Sequence, residues 1–173
     1  MNGKTHTAVA ISVIASVSVL YFPEVKLTEF TLYPLIGLAT APAGATIVDA
    51  DMENSTAGRK YPLIAKVCTH RGITHTAVAV LVQYYLLRFT AQLEQGFLAN
   101  CVLSAMFGFI LSYFLHELAD MLNGKGIPLF WPICRKKIHL ADIPMGSGEY
   151  LFLIVVVVLC IVHVYGVLQG IVL

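Results

Sequence analysis

Histidine and aspartate residues are few in this chain, and most of them lie at the ends of apolar segments. The candidate set is His6, Asp49, Asp51, His70, His75, His116 and Asp120. Imidazole and carboxylate groups together are ligands that zinc, manganese and iron use in proteins. Ionisable groups close to membrane hydrocarbon are costly, so a group of them at one depth indicates a functional site. The pattern predicts a site for a divalent metal.

The spacing of these residues along the sequence predicts which of their side chains lie close together. His116 and Asp120 are four positions apart in a helical pattern, which places both on one helix face. Glu117 lies about 100° away from His116 around that helix. Gly72 allows a helix to begin after it, so that His70 curls back from the preceding loop towards His75. Two further carboxylates, Asp49 and Glu117, are candidates to accept a proton from an attacking water.

Basic residues near the predicted metal ligands could bind an anion. Arg59, Lys60 and Arg71 are predicted to hold a phosphate group, although Arg71 could equally face lipid headgroups. A basic stretch at 135–137 is predicted to face the anionic membrane surface. His139 is assigned to that surface, and His163 in the last apolar segment is assigned to packing.

Composition sets the class of protein. The 173 residues are 58% apolar and 12% charged, with a mean hydropathy of +0.79. Soluble domains average about 25% charged residues, so this chain lacks the charge to cover a water-facing surface. A net charge of +1 excludes a basic nucleic-acid binder, and no nucleic-acid partner is expected. The four cysteines have no zinc-type spacing and are interpreted as small apolar residues.

Five apolar runs are long enough to cross a bilayer, at 7–22, 30–48, 72–87, 97–115 and 151–173. We therefore expect an all-α, multi-pass membrane helix bundle that forms one domain over 1–173. Five spans place nine Lys and Arg residues on one side and two on the other. By the positive-inside rule, the N-terminus is cytoplasmic and the C-terminus is outside.

The sequence contains an internal repeat. Residues 5–10, Thr-His-Thr-Ala-Val-Ala, recur unchanged at 74–79, and Ala-Asp-Met-x-Asn at 50–54 recurs at 119–123 with the same offset. We interpret residues 3–54 and 72–123 as two helical hairpins related by an axis along the membrane normal, followed by a fifth helix at 151–173. His6 and Asp51 would then correspond to His75 and Asp120.

Several of these elements resemble the YdjM-like family of inner-membrane metal-dependent hydrolases. The resemblance covers about residues 1–132 and rests on Gly-Lys-Thr-His at 3–6, Asp-Ala-Asp at 49–51, His-Arg-Gly-Ile-Thr-His at 70–75 and His-x-x-x-Asp at 116–120. The order of histidines and aspartates is also similar, in pattern only, to bacterial zinc-dependent phospholipase C. The resemblance implies a bacterial inner-membrane location and metal ligation by His6, Asp51, His70 or His75, His116 and Asp120.

This chain departs from the family pattern at two positions. Val48 stands where a proline is usual, and Met52 stands where a histidine is common, so a metal bound through that histidine would be missing here.

The sequence therefore predicts a membrane enzyme with one or two divalent ions, zinc first and manganese or iron as alternatives. It would hydrolyse a phosphoester in a lipid or lipid-linked substrate at the cytoplasmic face. Three alternatives remain open. One is an intramembrane zinc protease that uses His116-Glu117-x-x-Asp120, the second is a transporter or metal carrier, and the third is a purely structural scaffold.

Overall fold

The structure, a computed structural model, describes residues 3–22, 24–27, 30–69, 71–93, 96–144 and 146–169. The described chain is mainly helical, with one short β-hairpin and a long loop between the last two helices. The α-helices are α1 (Gly3–Leu20), α2 (Pro34–Ile47), α3 (Thr56–Lys60), α4 (Pro62–Val67), α5 (Ala77–Leu93), α6 (Phe97–Met121) and α7 (Ser147–Leu168). Two 3₁₀ helices, Val48–Asp51 and Ile73–His75, follow α2 and precede α5, and strands β1 (Val25–Lys26) and β2 (Thr31–Leu32) pair antiparallel between α1 and α2.

Three described helices, α1, α6 and α7, are long and apolar enough to cross a membrane. At 1.5 Å per residue the 25 residues of α6 extend roughly 37 Å, more than the hydrocarbon thickness of about 30 Å. Helix α5 is apolar but has only 17 residues, and α2 has 14. The helical membrane class is thus confirmed, while the number of five spans stays a prediction.

Helices α2 and α6 pack closely because small residues face each other. Gly37 and Gly108 approach so closely that a Cβ added to Gly108 would overlap the backbone of Gly37. A Cβ on Gly44 would overlap the carbonyl oxygen of Phe109 and the hydroxyl of Ser112. Small residues at such contacts let membrane helices approach and hold each other by van der Waals packing. This contact fixes the end of α2 against the second half of α6.

The connections around this contact bring four chain segments to one end of the bundle. They are the first turns of α1, the 3₁₀ turn Val48–Asp51 after α2, the 3₁₀ turn Ile73–His75 before α5 and the last turns of α6. The loop after α6 lies over the same end, where Ile127 and Ile138 pair and Leu140 N–H donates to the carbonyl of Met121. Side chains on these segments form the site described next.

Candidate metal centre

A buried cluster of imidazoles and carboxylates lies at this end of the bundle. It contains most of the predicted ligands, and its members are His6, Asp49, Asp51, His75, His116 and Asp120, all buried. The predicted ligand His70 lies outside the described residues. Four segments that are separated along the sequence thus supply one compact polar group.

Asp120 is the central carboxylate. Its Oδ1 lies 3.4 Å from His6 Nε2 and 3.0 Å from Arg71 Nη2. Its Oδ2 lies 3.3 Å from His75 Nε2 and 3.9 Å from His116 Nε2. Ligand atoms around a tetrahedral zinc at about 2.0–2.1 Å lie roughly 3.3 Å apart, so small movements would bring these atoms onto one ion.

Two overlapping groups of side chains could hold an ion. One is His6, His116 and Asp120, and the other is Asp49, His75 and His116; in each group the ligand atoms lie within 4.8 Å of one another. Asp49, predicted as a proton acceptor, is here a possible ligand, since its Oδ1 lies 3.7 Å from His116 Nε2 and 3.9 Å from His75 Nε2.

A hydrogen bond at Nδ1 of His116 leaves its Nε2 available as a possible metal ligand. Its Nδ1 lies 2.6 Å from the carbonyl oxygen of Ala45 and donates to it, because a carbonyl can only accept. Its Nε2 is buried and has no hydrogen-bond partner among the described residues. An imidazole that donates one N–H to a backbone carbonyl presents the other nitrogen as a metal ligand, so the residues present fit a divalent ion.

Asp51 lies behind His75 and belongs to neither of these groups. Its Oδ2 accepts hydrogen bonds from the Thr74 hydroxyl at 2.6 Å and from Arg71 N–H at 3.0 Å, and lies 3.3 Å from His75 Nδ1. A carboxylate in this position orients an imidazole whose opposite nitrogen faces the metal. The predicted direct ligation by Asp51 stays a prediction, and the geometry favours an orienting role.

His75 is held between carboxylates outside the spanning helices. Burial alone would lower its pKa, but the hydrogen bonds to Asp120 and Asp51 outweigh burial and raise the pKa to about 9. Without a metal, this imidazole therefore carries a proton at neutral pH. An ion that binds Nε2 has to displace that proton.

The predicted phosphate-binding residues separate into two kinds. Arg71 lies in the cluster, with Nη1 donating to the carbonyl of Gly126 at 2.9 Å and Nη2 contacting Asp120. Arg59 donates to the carbonyl of Asn54 at 3.1 Å, and Lys60 lies over the ring of Tyr61 at 5.7 Å. These two are exposed and point to local partners, so their predicted role stays untested.

A cavity of about 1160 Å³ opens beside the cluster. Asp49, Asp120 and Arg71 line it, and so do three lysines that sequence reasoning had not assigned to a substrate. They are Lys4, Lys125 and Lys137. Lys4 could have been identified from the sequence, because it lies two positions before His6. Lys125 and Lys137 could not, because only the tertiary fold of their loop places them at the cavity.

Glu117, the second predicted base, is buried with 2% of its surface exposed. Its Oε1 has no hydrogen-bond partner among the described residues, and Glu117 does not line the cavity.

The sequence analysis did not identify Thr74 as a residue of the site. A signal was present, because Thr74 precedes His75 in the repeated Thr-His-Thr element, which places a hydroxyl beside each histidine. His139 and His163 belong to neither candidate group.

Helical membrane architecture with a buried histidine and carboxylate cluster at one end defines the class of this protein. Its sequence places it more narrowly: a model of the YdjM inner membrane protein family matches residues 1–172, and the chain belongs to that family.

The chain is 34% identical over 107 residues to "Inner membrane protein YdjM" of Escherichia coli (strain K12), which covers 60% of this chain and 52% of that protein. The match to "Inner membrane protein YdjM" of Shigella flexneri has the same extent, so the chain spans about half the length of these relatives. "Uncharacterized protein YvsG" of Bacillus subtilis (strain 168) is 25% identical over 136 residues, or 76% of this chain and 74% of that protein. No solved structure gives a significant match.

Proposed function

We propose that this protein is a membrane-bound, metal-dependent hydrolase that cleaves a phosphoester in a lipid or lipid-linked substrate. The observation that supports it most is the convergence of His6, His75, His116, Asp49 and Asp120 on one buried position beside a cavity with basic residues. Zinc is the first choice of metal, with manganese and iron as alternatives, and one or two ions as the stoichiometry. When bound, such an ion supplies a Lewis acid for phosphoester hydrolysis.

The chain's own residues divide the remaining work. His116 is oriented by the carbonyl of Ala45, and His75 is oriented by Asp51. Of the two predicted proton acceptors, Asp49 lines the cavity and Glu117 does not. Asp49 is therefore placed to take a proton from an attacking water in the cavity when it is not occupied as a ligand.

Lysine side chains and the shape of the cavity support an anionic, amphiphilic substrate. Lys4, Lys125 and Lys137 line the cavity, and Ala8 and Ile11 line it one and two turns further along α1 than Lys4. A phosphate group would lie among the lysines, with the apolar part of the molecule along the membrane helix.

Topology is part of the proposal. The cluster joins the start of α1, the end of α2, the approach to α5 and the end of α6, as expected if both hairpins leave and return at one side. We place this side in the cytoplasm of a bacterial inner membrane, with the α7 C-terminus outside, because of the nine-to-two Lys and Arg distribution.

The intramembrane protease alternative is less well supported by the same geometry. It needs Glu117 beside an attacking water, but this carboxyl is buried and does not line the cavity. The metal-carrier alternative predicts metal binding without turnover, and the experiment below separates it.

Purified full-length protein in detergent micelles, loaded with Zn²⁺ or Mn²⁺, should release inorganic phosphate from a phosphatidic acid micelle or alcohol from a chromogenic phosphodiester. Asp120→Asn should abolish this release, and Glu53→Gln, which alters an exposed carboxylate, should leave it unchanged. Stoichiometric metal binding without hydrolysis of either substrate class would favour the metal carrier.

A further inference from the structure

The two oxygens of Asp120 face different surroundings. Oδ2 faces two imidazole nitrogens, His75 Nε2 at 3.3 Å and His116 Nε2 at 3.9 Å. Oδ1 faces one imidazole, His6 Nε2 at 3.4 Å, and the guanidinium of Arg71 at 3.0 Å. If two ions shared this carboxylate as a bridge, the second ion would lie on the Oδ1 side.

His116 limits how many ions the cluster can hold. Both candidate groups need it as a ligand, but its Nδ1 is committed to the carbonyl of Ala45. The single remaining lone pair, on Nε2, can bind only one ion. A second ion about 3.5–4 Å away would therefore have only His6 and Asp120 Oδ1 from its group.

Arg71 occupies the Oδ1 side as a fixed positive charge. The backbone of Arg71 has φ +58°, and its N–H donates a hydrogen bond to Asp51 Oδ2 at 3.0 Å. Its two terminal nitrogens contact Gly126 O and Asp120 Oδ1, and its side chain is only 9% exposed. A guanidinium is always charged, so a divalent ion beside it would be strongly repelled.

Arg71 also has an unused donor. Its Nε is buried without a hydrogen-bond partner among the described residues, and Arg71 lines the cavity. Because this nitrogen is buried, Arg71 acts on the cavity through its positive charge.

We propose that the site holds a single divalent ion and that the Arg71 guanidinium takes the place of a second one. Arg71 neutralises Oδ1 of Asp120 and adds a positive charge beside the cavity that would receive the substrate's phosphate. This inference rests on the proposed function, because it names how that same site is charged and how it binds its anion.

The test is equilibrium dialysis of the full-length protein in detergent against Mn²⁺, combined with electron paramagnetic resonance of the bound ion. We expect one Mn²⁺ per chain with the spectrum of an isolated ion. Two ions per chain with a spin-coupled spectrum would overturn this inference and leave the proposed function intact. No bound Mn²⁺ in this dialysis, together with no bound Zn²⁺ when it is repeated with Zn²⁺, would overturn both.

Variants at Arg71 test the exclusion itself. Arg71→Ala should allow a second, spin-coupled Mn²⁺ at saturating metal, because Oδ1 then faces no cation, whereas Arg71→Lys should still bind one. Arg59→Ala is the matched control, since this arginine is exposed and contacts Asn54, and it should also bind one ion. A single ion in Arg71→Ala would show that the arginine does not exclude the second.

Discussion

His6 Nε2 lies 3.4 Å from Asp120 Oδ1, so the first histidine of the chain's first repeat contacts the aspartate of the second. The reciprocal pair is also formed, because His75 Nδ1 lies 3.3 Å from Asp51 Oδ2. The two contacts use different imidazole nitrogens. Matching positions of the sequence repeat thus meet in one cluster, but their contacts differ: Asp120 contacts His6, His75 and Arg71, whereas Asp51 contacts His75, Thr74 and Arg71.

If Asp51 orients His75 and does not bind the metal itself, removing its carboxylate should weaken metal binding without abolishing it. Asp51→Asn and Thr74→Val should each weaken Zn²⁺ affinity by about 10–100-fold while leaving a full complement at saturating metal, since they disturb the orientation of His75 and remove no ligand. Competition with a chelating indicator measures this affinity. Thr90→Val, a matched change at a half-buried threonine of α5 whose hydroxyl donates to the carbonyl of Leu86, should bind normally. Complete loss of the ion in Asp51→Asn would instead identify Asp51 as a direct ligand.

The close contact between α2 and α6 predicts a packing effect that reaches the site. Gly44→Ala should destabilise the protein by about 1–3 kcal/mol, because the new methyl group overlaps Phe109 and Ser112. Metal affinity should fall as well, since the neighbouring Ala45 carbonyl orients His116. Thermal unfolding in detergent measures the first effect. Gly3→Ala is the control, because its nearest contact would be 3.8 Å away, and equal melting temperatures for the two variants would contradict the packing argument.

The charge on His75 predicts a pH dependence. Its pKa is raised from 6.5 to about 9, so the metal-free protein gains stability from this proton below pH 6.5 and loses it as the pH rises through about 9. A bound ion replaces the proton, and its stabilising effect should therefore grow over the same interval. Melting temperatures with Zn²⁺ and with a chelator, measured across this range, test the prediction. A metal-induced shift that is constant with pH, or equally steep in His75→Gln, would contradict it.

Sequence reasoning predicted much of the site but not its internal order. Histidines and aspartates at helix ends, together with the repeat, predicted that His6, His116 and Asp120 share one membrane face. The sequence did not show which aspartate joins a possible metal-binding group, because Asp49 and Asp51 lie in one 3₁₀ turn whose orientation depends on contacts with Arg71 and Thr74.

Some features of the fold follow from the local sequence, and others depend on tertiary contacts. Apolar runs predicted the positions of α1, α6 and α7, since length and hydropathy are local properties. The run at 30–48 contains β2 and a helix that starts only at Pro34, because the strand pairs with β1 before the helix begins. The cationic lining by Lys125 and Lys137 depends on how the loop after α6 folds back over the bundle, which spacing alone does not determine.

Orientation in the membrane is tested by labelling from each side. On a cysteine-free background, Lys60→Cys should react with a membrane-impermeant maleimide only from the cytoplasmic side, because it lies on the lysine- and arginine-rich side. Lys26→Cys, also exposed, should react only from the outside. Reaction of position 60 from the outside alone would reverse the proposed topology and the cytoplasmic access of substrate.

Metal content of the purified protein tests the shared site most directly. Wild-type protein and Asp120→Ala are prepared in parallel and dialysed against Zn²⁺. The wild type should bind zinc and the variant should not, because Asp120 contacts the imidazoles of His6, His75 and His116. His163→Ala, which alters a histidine outside both candidate groups, should retain the wild-type content. Equal metal in wild type and Asp120→Ala, or none in either, would contradict the account of a metal centre built across the two repeats.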